Sequence, residues 1–181
     1  MSVFWQKSRE VMDMTAKEMV EIFSVWLLNW PNAENFKGTP EVLEARAKLY
    51  ANVIGSVDFW TAQRAAAMSM RTRVYPPNIA EFLQDIEAVQ DEIRKEIDTA
   101  YMAARDALME ADDMSIGEIL KSLPPRARKT IEAMGGACTF VLPGRFNLEG
   151  FRSKYEELMK TNPAMLSKNG EVKRIGRRKD W

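Results

Sequence analysis

"NIAEFLQDIEAVQDEIRKEIDTAYMAARDALM", residues 78–109, decides the fold. It contains neither glycine nor proline. Ile79, Leu83, Ile86, Ile93, Ile97, Ala100, Ala104 and Leu108 recur three or four positions apart, or at multiples of that step, which draws a narrow apolar stripe along a helix. Asn78 and Glu81 stand three apart ahead of that stripe, the spacing of a capping box. The spacing predicts one long acidic helix from Ile79 to about Met109. Its first half packs on other helices. Its second half reads as too long and too polar for full burial, so it projects as a stalk or forms a homodimer through Ile93 and Ile97.

The stretch before it, "MRTRVYPP", residues 70–77, forces a corner. A residue that precedes proline is pushed out of helical geometry, so Tyr75 and Pro76 are expected to be extended. Three helices lead up to this corner. Met12, Ala16, Met19, Phe23, Trp26 and Trp30 make the stripe of the first, with "TAKE" (Thr15–Glu18) as a capping box and Pro31 as its stop. The second starts at Thr39 and Pro40 and carries Leu43, Ala47, Tyr50 and Ile54. Ser56 is placed to cap the third, which shows Phe59, Ala62, Ala66 and Met70, with Trp60 beside them.

Beyond Met109 the helices are short. Ser115 and Glu118 form another capping box, and "LPPRARKTIEAMGG" reads as a helix stopped by Gly135 and Gly136. "ACTFVLPGRF" reads as a loop or a single strand. "NLEGFRSKYEELMK" is a helix with Leu148, Phe151, Tyr155 and Leu158 on one side. The last residues hold Lys168, Lys173, Arg174, Arg177, Arg178 and Lys179 among few apolar ones, a composition that does not fold by itself. The fold class is therefore all-α: an N-terminal helical bundle, a long acidic connecting helix, and a small, mostly helical C-terminal part with a basic tail. The expected domains are 1–111, 112–162 and 163–181.

Charge is polarised although 26 basic and 26 acidic residues balance over the 181. Residues 1–76 hold 9 basic and 8 acidic residues, 77–123 hold 4 and 12, and 124–181 hold 13 and 6. An acidic middle and a basic end fit different partners. The single cysteine, Cys138, cannot form an internal disulfide, which fits a reducing compartment. No apolar run spans a bilayer and the first residues lack a signal-peptide core, so a cytoplasmic protein is expected, with no membrane partner.

Catalysis finds little support. Histidine is absent, which removes the commonest general base and the Ser/His and Cys/His pairs. No Gly-Lys pair exists, so the phosphate-cradling loop of ATPases is missing. Cys138 reads as a buried structural thiol rather than a nucleophile. Asp112, Asp113 and Glu110 read as a solvated loop rather than a magnesium site. The reading is a non-enzyme without metal or cofactor. Binding remains. Arg71, Arg73 and Tyr75 either meet phosphates and stack on a base, or satisfy the third helix's last carbonyls and pack as a rigid corner against the first helix. Lys173, Arg174, Arg177, Arg178 and Lys179 are the stronger candidates for nucleic acid.

Two segments carry a resemblance. "LYANVIGSVDFWTAQRAAAMSMRTRVYPPNIAEFLQDI" resembles the N-terminal domain of small bacteriophage replicative-helicase loaders, the non-ATPase type also called helicase inhibitors. "ARKTIEAMGGACTF" followed by "FRSKYEELMK" resembles the downstream region of such proteins. Together they cover about half of the chain. The resemblance implies a helical N-terminal domain and a C-terminal part that contacts a hexameric helicase, restrains its ATPase and delivers it to origin DNA, often through an initiator. It maps the domain corner to Trp60, Arg71, Arg73, Tyr75, Pro76, Pro77, Ile79 and Glu81. It maps helicase contacts to Gly135, Gly136, Phe151, Arg152 and Tyr155. Two features depart from the family's pattern: the connection is a long acidic helix, and "TFVLPGRF" stands where a tryptophan-containing segment is expected. The rival readings are a nucleic-acid-binding replication organiser and a self-associating phage assembly protein or chaperone.

Overall fold

The computed structural model describes residues 14–110, 115–143 and 145–161. Met12, Asp112, Asp113, Trp181, the tail cations and the expected boundary at 111/112 lie outside the described residues. The described part is all-α apart from one two-stranded hairpin. The chain divides into two compact units between Ile93 and Arg94, inside the long helix.

The first unit begins with α1, Ala16–Asn29. Thr15 and Glu18 close the expected capping box: the Thr15 hydroxyl accepts from the Glu18 amide at 3.2 Å, and the Glu18 carboxylate accepts from the Thr15 amide at 2.8 Å. A 3-10 turn, Glu34–Phe36, follows and was not legible in the sequence. It inserts Phe36 into the core. Arg46 holds the turn by donating to the carbonyls of Asn35 at 2.6 Å and Lys37 at 3.1 Å.

Helix α2 runs Pro40–Ile54, with proline in its first turn, and ends at Gly55 (φ +65). Helix α3 runs Phe59–Thr72. Its cap is Asp58, not Ser56: the Asp58 carboxylate accepts from the Thr61 amide at 3.2 Å and the Thr61 hydroxyl at 2.9 Å. A carboxylate also suits the positive end of the helix dipole better than a hydroxyl. The fourth helix, α4, runs Ile79–Met109 as expected.

Aromatic rings fill the first unit. Phe23 meets Phe36 at 4.9 Å and Tyr50 at 5.2 Å, and Trp26 meets Phe82 edge-on at 4.8 Å. The buried apolar positions of this half of α4 are Phe82, Ile86, Val89 and Ile93. Phe82 and Val89 therefore replace Leu83 as the deep residues. Trp30, expected in the core, is only half-buried.

The second unit holds the rest of α4 together with α5 (Ile116–Ser122), α6 (Pro125–Ala133), a one-turn α7 (Ala137–Phe140) and α8 (Leu148–Thr161). Ser115 and Glu118 form the expected capping box of α5. "ACTFVLPGRF" is neither loop nor single strand. It is α7 followed by an antiparallel hairpin in which β1, Val141–Leu142, pairs with β2, Arg145–Phe146. Ile97, Ala100 and Ala104 are buried on α4, and Tyr101 meets Phe140 at 5.7 Å and Phe151 at 5.8 Å. This half of the helix is no free stalk. Ile93 and Ile97 are spent inside the chain and do not form an open seam for a second copy. Among the described residues, no helix is long and apolar enough to cross a membrane.

Candidate interaction surface

The corner between α3 and α4 is rigid for a reason visible in its bonds. Arg73 ends α3 and turns back onto α4. Its guanidinium donates to both oxygens of Asp85, at 2.8 and 3.0 Å, and to the Glu81 carbonyl at 3.3 Å. Ser69 donates to Asp85 at 2.6 Å from the other side. Burial opposes the Asp85 charge, but the bonds from Arg73 and Ser69 and the arginine's own charge outweigh it and hold the carboxyl below the usual carboxylate range. Pro77 is fully buried, and Asn78 and Glu81 cap α4 reciprocally at 2.8 and 3.0 Å.

This sorts the corner residues. Arg73 is consumed by structure and is withdrawn as a phosphate contact, because its donors already face two carboxylates. Arg71 is exposed. Tyr75 does not pack against α1, as a purely structural corner requires; it is 79% exposed, and so is Val74. The indole of Trp30 donates to the Val74 carbonyl at 2.9 Å, which pins the end of α1 to the same place. Leu28, two residues earlier on α1, is 86% exposed. The fixed backbone thus holds Val74 and Tyr75 in water, close along the chain to exposed Arg71. Trp60 stands apart from this group and stacks under Arg64, whose guanidinium carbon lies 5.0 Å from the ring.

The second unit treats its expected contacts differently. Phe151 and Tyr155 are core residues, not a contact face. Phe151 lies 5.4 Å from Phe140 and 5.8 Å from Tyr155. The Tyr155 hydroxyl donates to Glu96 at 3.0 Å, and Arg126 donates to the same carboxylate. Burial raises the Tyr155 hydroxyl above its ordinary pKa, although Arg126 pulls the other way. Arg152 is exposed and pairs with Asp98 at 2.7 Å. Gly135 and Gly136 end α6 at φ +102 and +94, and their amides return to the carbonyls of Glu132 and Ile131 at 3.1 and 2.9 Å. Glycine is needed there for backbone geometry. Cys138 is exposed rather than buried, because α7 turns its neighbours Ala137 and Phe140 inward instead.

The sequence missed Leu28 and Val74 as surface features. An exposed leucine at helical spacing looks the same on paper as a buried one. No known protein family, no characterised protein and no solved structure matches this chain. Among the described residues no cluster of acidic, cysteine or histidine side chains is arranged to hold a metal ion.

Proposed function

We propose that this chain is a bacteriophage DNA-replication accessory protein that binds the hexameric replicative helicase of its host or genome. The observation that carries the reading is the corner. The segment that resembles helicase loaders is braced by Arg73 and Asp85 and holds Val74 and Tyr75 out to solvent. Tyrosine and arginine in a rigid setting are what protein interfaces use as anchors. The C-terminal contact set contracts to Arg152, since Phe151 and Tyr155 support the core and the glycines shape a turn.

The mechanism is a shift of the partner's equilibrium. A protein that binds an open ring more tightly than a closed one biases the ring toward opening, without hydrolysing nucleotide itself. Loading and restraint are two outcomes of the same preference. The test is helicase ATPase and helicase transfer onto circular single-stranded DNA, titrated with this protein. A stoichiometric change in either supports the reading. No change at any ratio contradicts it.

Arg71 and Tyr75 also favour a second reading, contact with single-stranded DNA or with an initiator at the same corner. Salt distinguishes it: DNA affinity that falls steeply between low and moderate salt marks a phosphate-based grip.

A further inference from the structure

Residues 102–109 of α4 read "MAARDALM", close to a palindrome with opposite charges at its centre. Methionine stands at both ends, apolar residues stand inside them, and Arg105 and Asp106 form the middle. Met102 and Met109 are two helical turns apart and so share one face. That face points away from the core of the second unit. Ala100 and Ala104 are buried on the other side of the helix, whereas Met102 is 41% exposed and Met109 66%. Arg105 and Asp106 lie between the methionines. The Arg105 guanidinium donates to one Asp106 oxygen from Nε at 2.9 Å and from Nη2 at 2.7 Å. Both side chains still reach water.

A second copy of the same stretch fits this face in one direction. In an antiparallel pair with its two-fold axis between positions 105 and 106, Met102 of each copy meets Met109 of the other. Arg105 of each then meets Asp106 of the other, as a closed two-fold contact requires. A parallel pair would set Arg105 against Arg105 and Asp106 against Asp106, and like charges placed together are costly. Each ion pair is already closed within its own chain, so the approach of a copy adds opposite charges and strands none. Methionine suits such a seam because its flexible, polarisable side chain adapts to the facing surface.

We infer that this chain forms an antiparallel two-fold dimer through Met102, Arg105, Asp106 and Met109 of α4. The seam is two turns long, at the small end of protein interfaces, so the dimer dissociates on dilution. It uses the face of α4 turned away from buried Ile97 and is independent of the proposed function.

Sedimentation equilibrium of the full chain, from about 1 μM to about 500 μM, reads the dimer, and a thermal melt of each variant reads its fold. Arg105→Asp leaves only acidic residues at the axis, and Asp106→Arg leaves only basic ones. Each variant alone is expected to dimerise about tenfold or more weakly than the natural chain, and an equal mixture of the two is expected to pair again as a heterodimer. Met109→Glu changes the most exposed of the four positions and is expected to weaken the dimer similarly while it keeps the natural melt. It serves as the reading variant if either charge reversal fails to fold. A natural chain that stays monomeric throughout overturns the inference. So does a dimer that the folded variants leave unchanged, or a mixture of folded charge variants that stays monomeric.

Discussion

The guanidinium of Arg73 grips both carboxylate oxygens of Asp85, 2.8 and 3.0 Å away, and so locks the end of α3 to the second turn of α4. The pair is mostly shielded from water, and Ser69 completes it. Removing one member strands the other. Asp85→Asn is therefore expected to cost about 2–4 kcal/mol at pH 7, read by urea unfolding.

The same pair sets an acid limit. The folded-state pKa of Asp85 is depressed, so its contribution is present above the ordinary carboxylate pKa and fades as pH falls through the lower folded value. The stability gap between the natural chain and Asp85→Asn is expected to narrow below about pH 4. Urea midpoints at pH 7, 4 and 3 check it. A gap that stays constant rules the pair out as the cause.

Phe151 and Tyr155 test the second unit. Phe151→Ala leaves a cavity among Tyr101, Phe140 and Tyr155 and is expected to cost about 3–5 kcal/mol. Tyr155→Phe keeps the ring and loses only the bond to Glu96, for about 1 kcal/mol. Calorimetry of both variants reads the difference. Similar costs would show that the Tyr155–Glu96 bond matters as much to the fold as the whole Phe151 ring.

Gly136 needs its backbone, not space. No atom lies within 4 Å of an added Cβ, yet its φ of +94 with ψ of −174 is a conformation nearly closed to other residues. Gly136→Ala is expected to destabilise by about 1–3 kcal/mol without a steric clash. Unchanged stability would mean that the α6–α7 turn relaxes freely.

Much of the helical plan was legible because it rests on local chemistry. Glu18, Glu81 and Glu118 each close a capping box that the sequence spells out. The limits of α4 follow from the Pro-Pro corner and a run without helix breakers. What the sequence hides is phase. Phe82 and Leu83 are neighbours of similar apolar character, and only the ring of Trp26 decides that Phe82 goes inward. The same ambiguity left Leu28 unnoticed, whereas Phe151 and Tyr155 were contacts only by resemblance, their apolar spacing already marking a core face. Phe36 sits in a single 3-10 turn, too short to carry a period. Arg73 looked available for phosphate because its partner, Asp85, lies on the next helix, beyond the corner.

The most direct test is size-exclusion chromatography with light scattering, on this protein mixed with the replicative helicase of the same genome or host. The account predicts one stable complex with the natural chain, and at least a tenfold weaker one with the Val74→Asp, Tyr75→Ala double variant. Both changes fall at exposed positions, so that variant is expected to unfold within about 0.5 kcal/mol of the natural chain. Separate elution of the natural chain and the helicase, at low and moderate salt alike, would contradict the account.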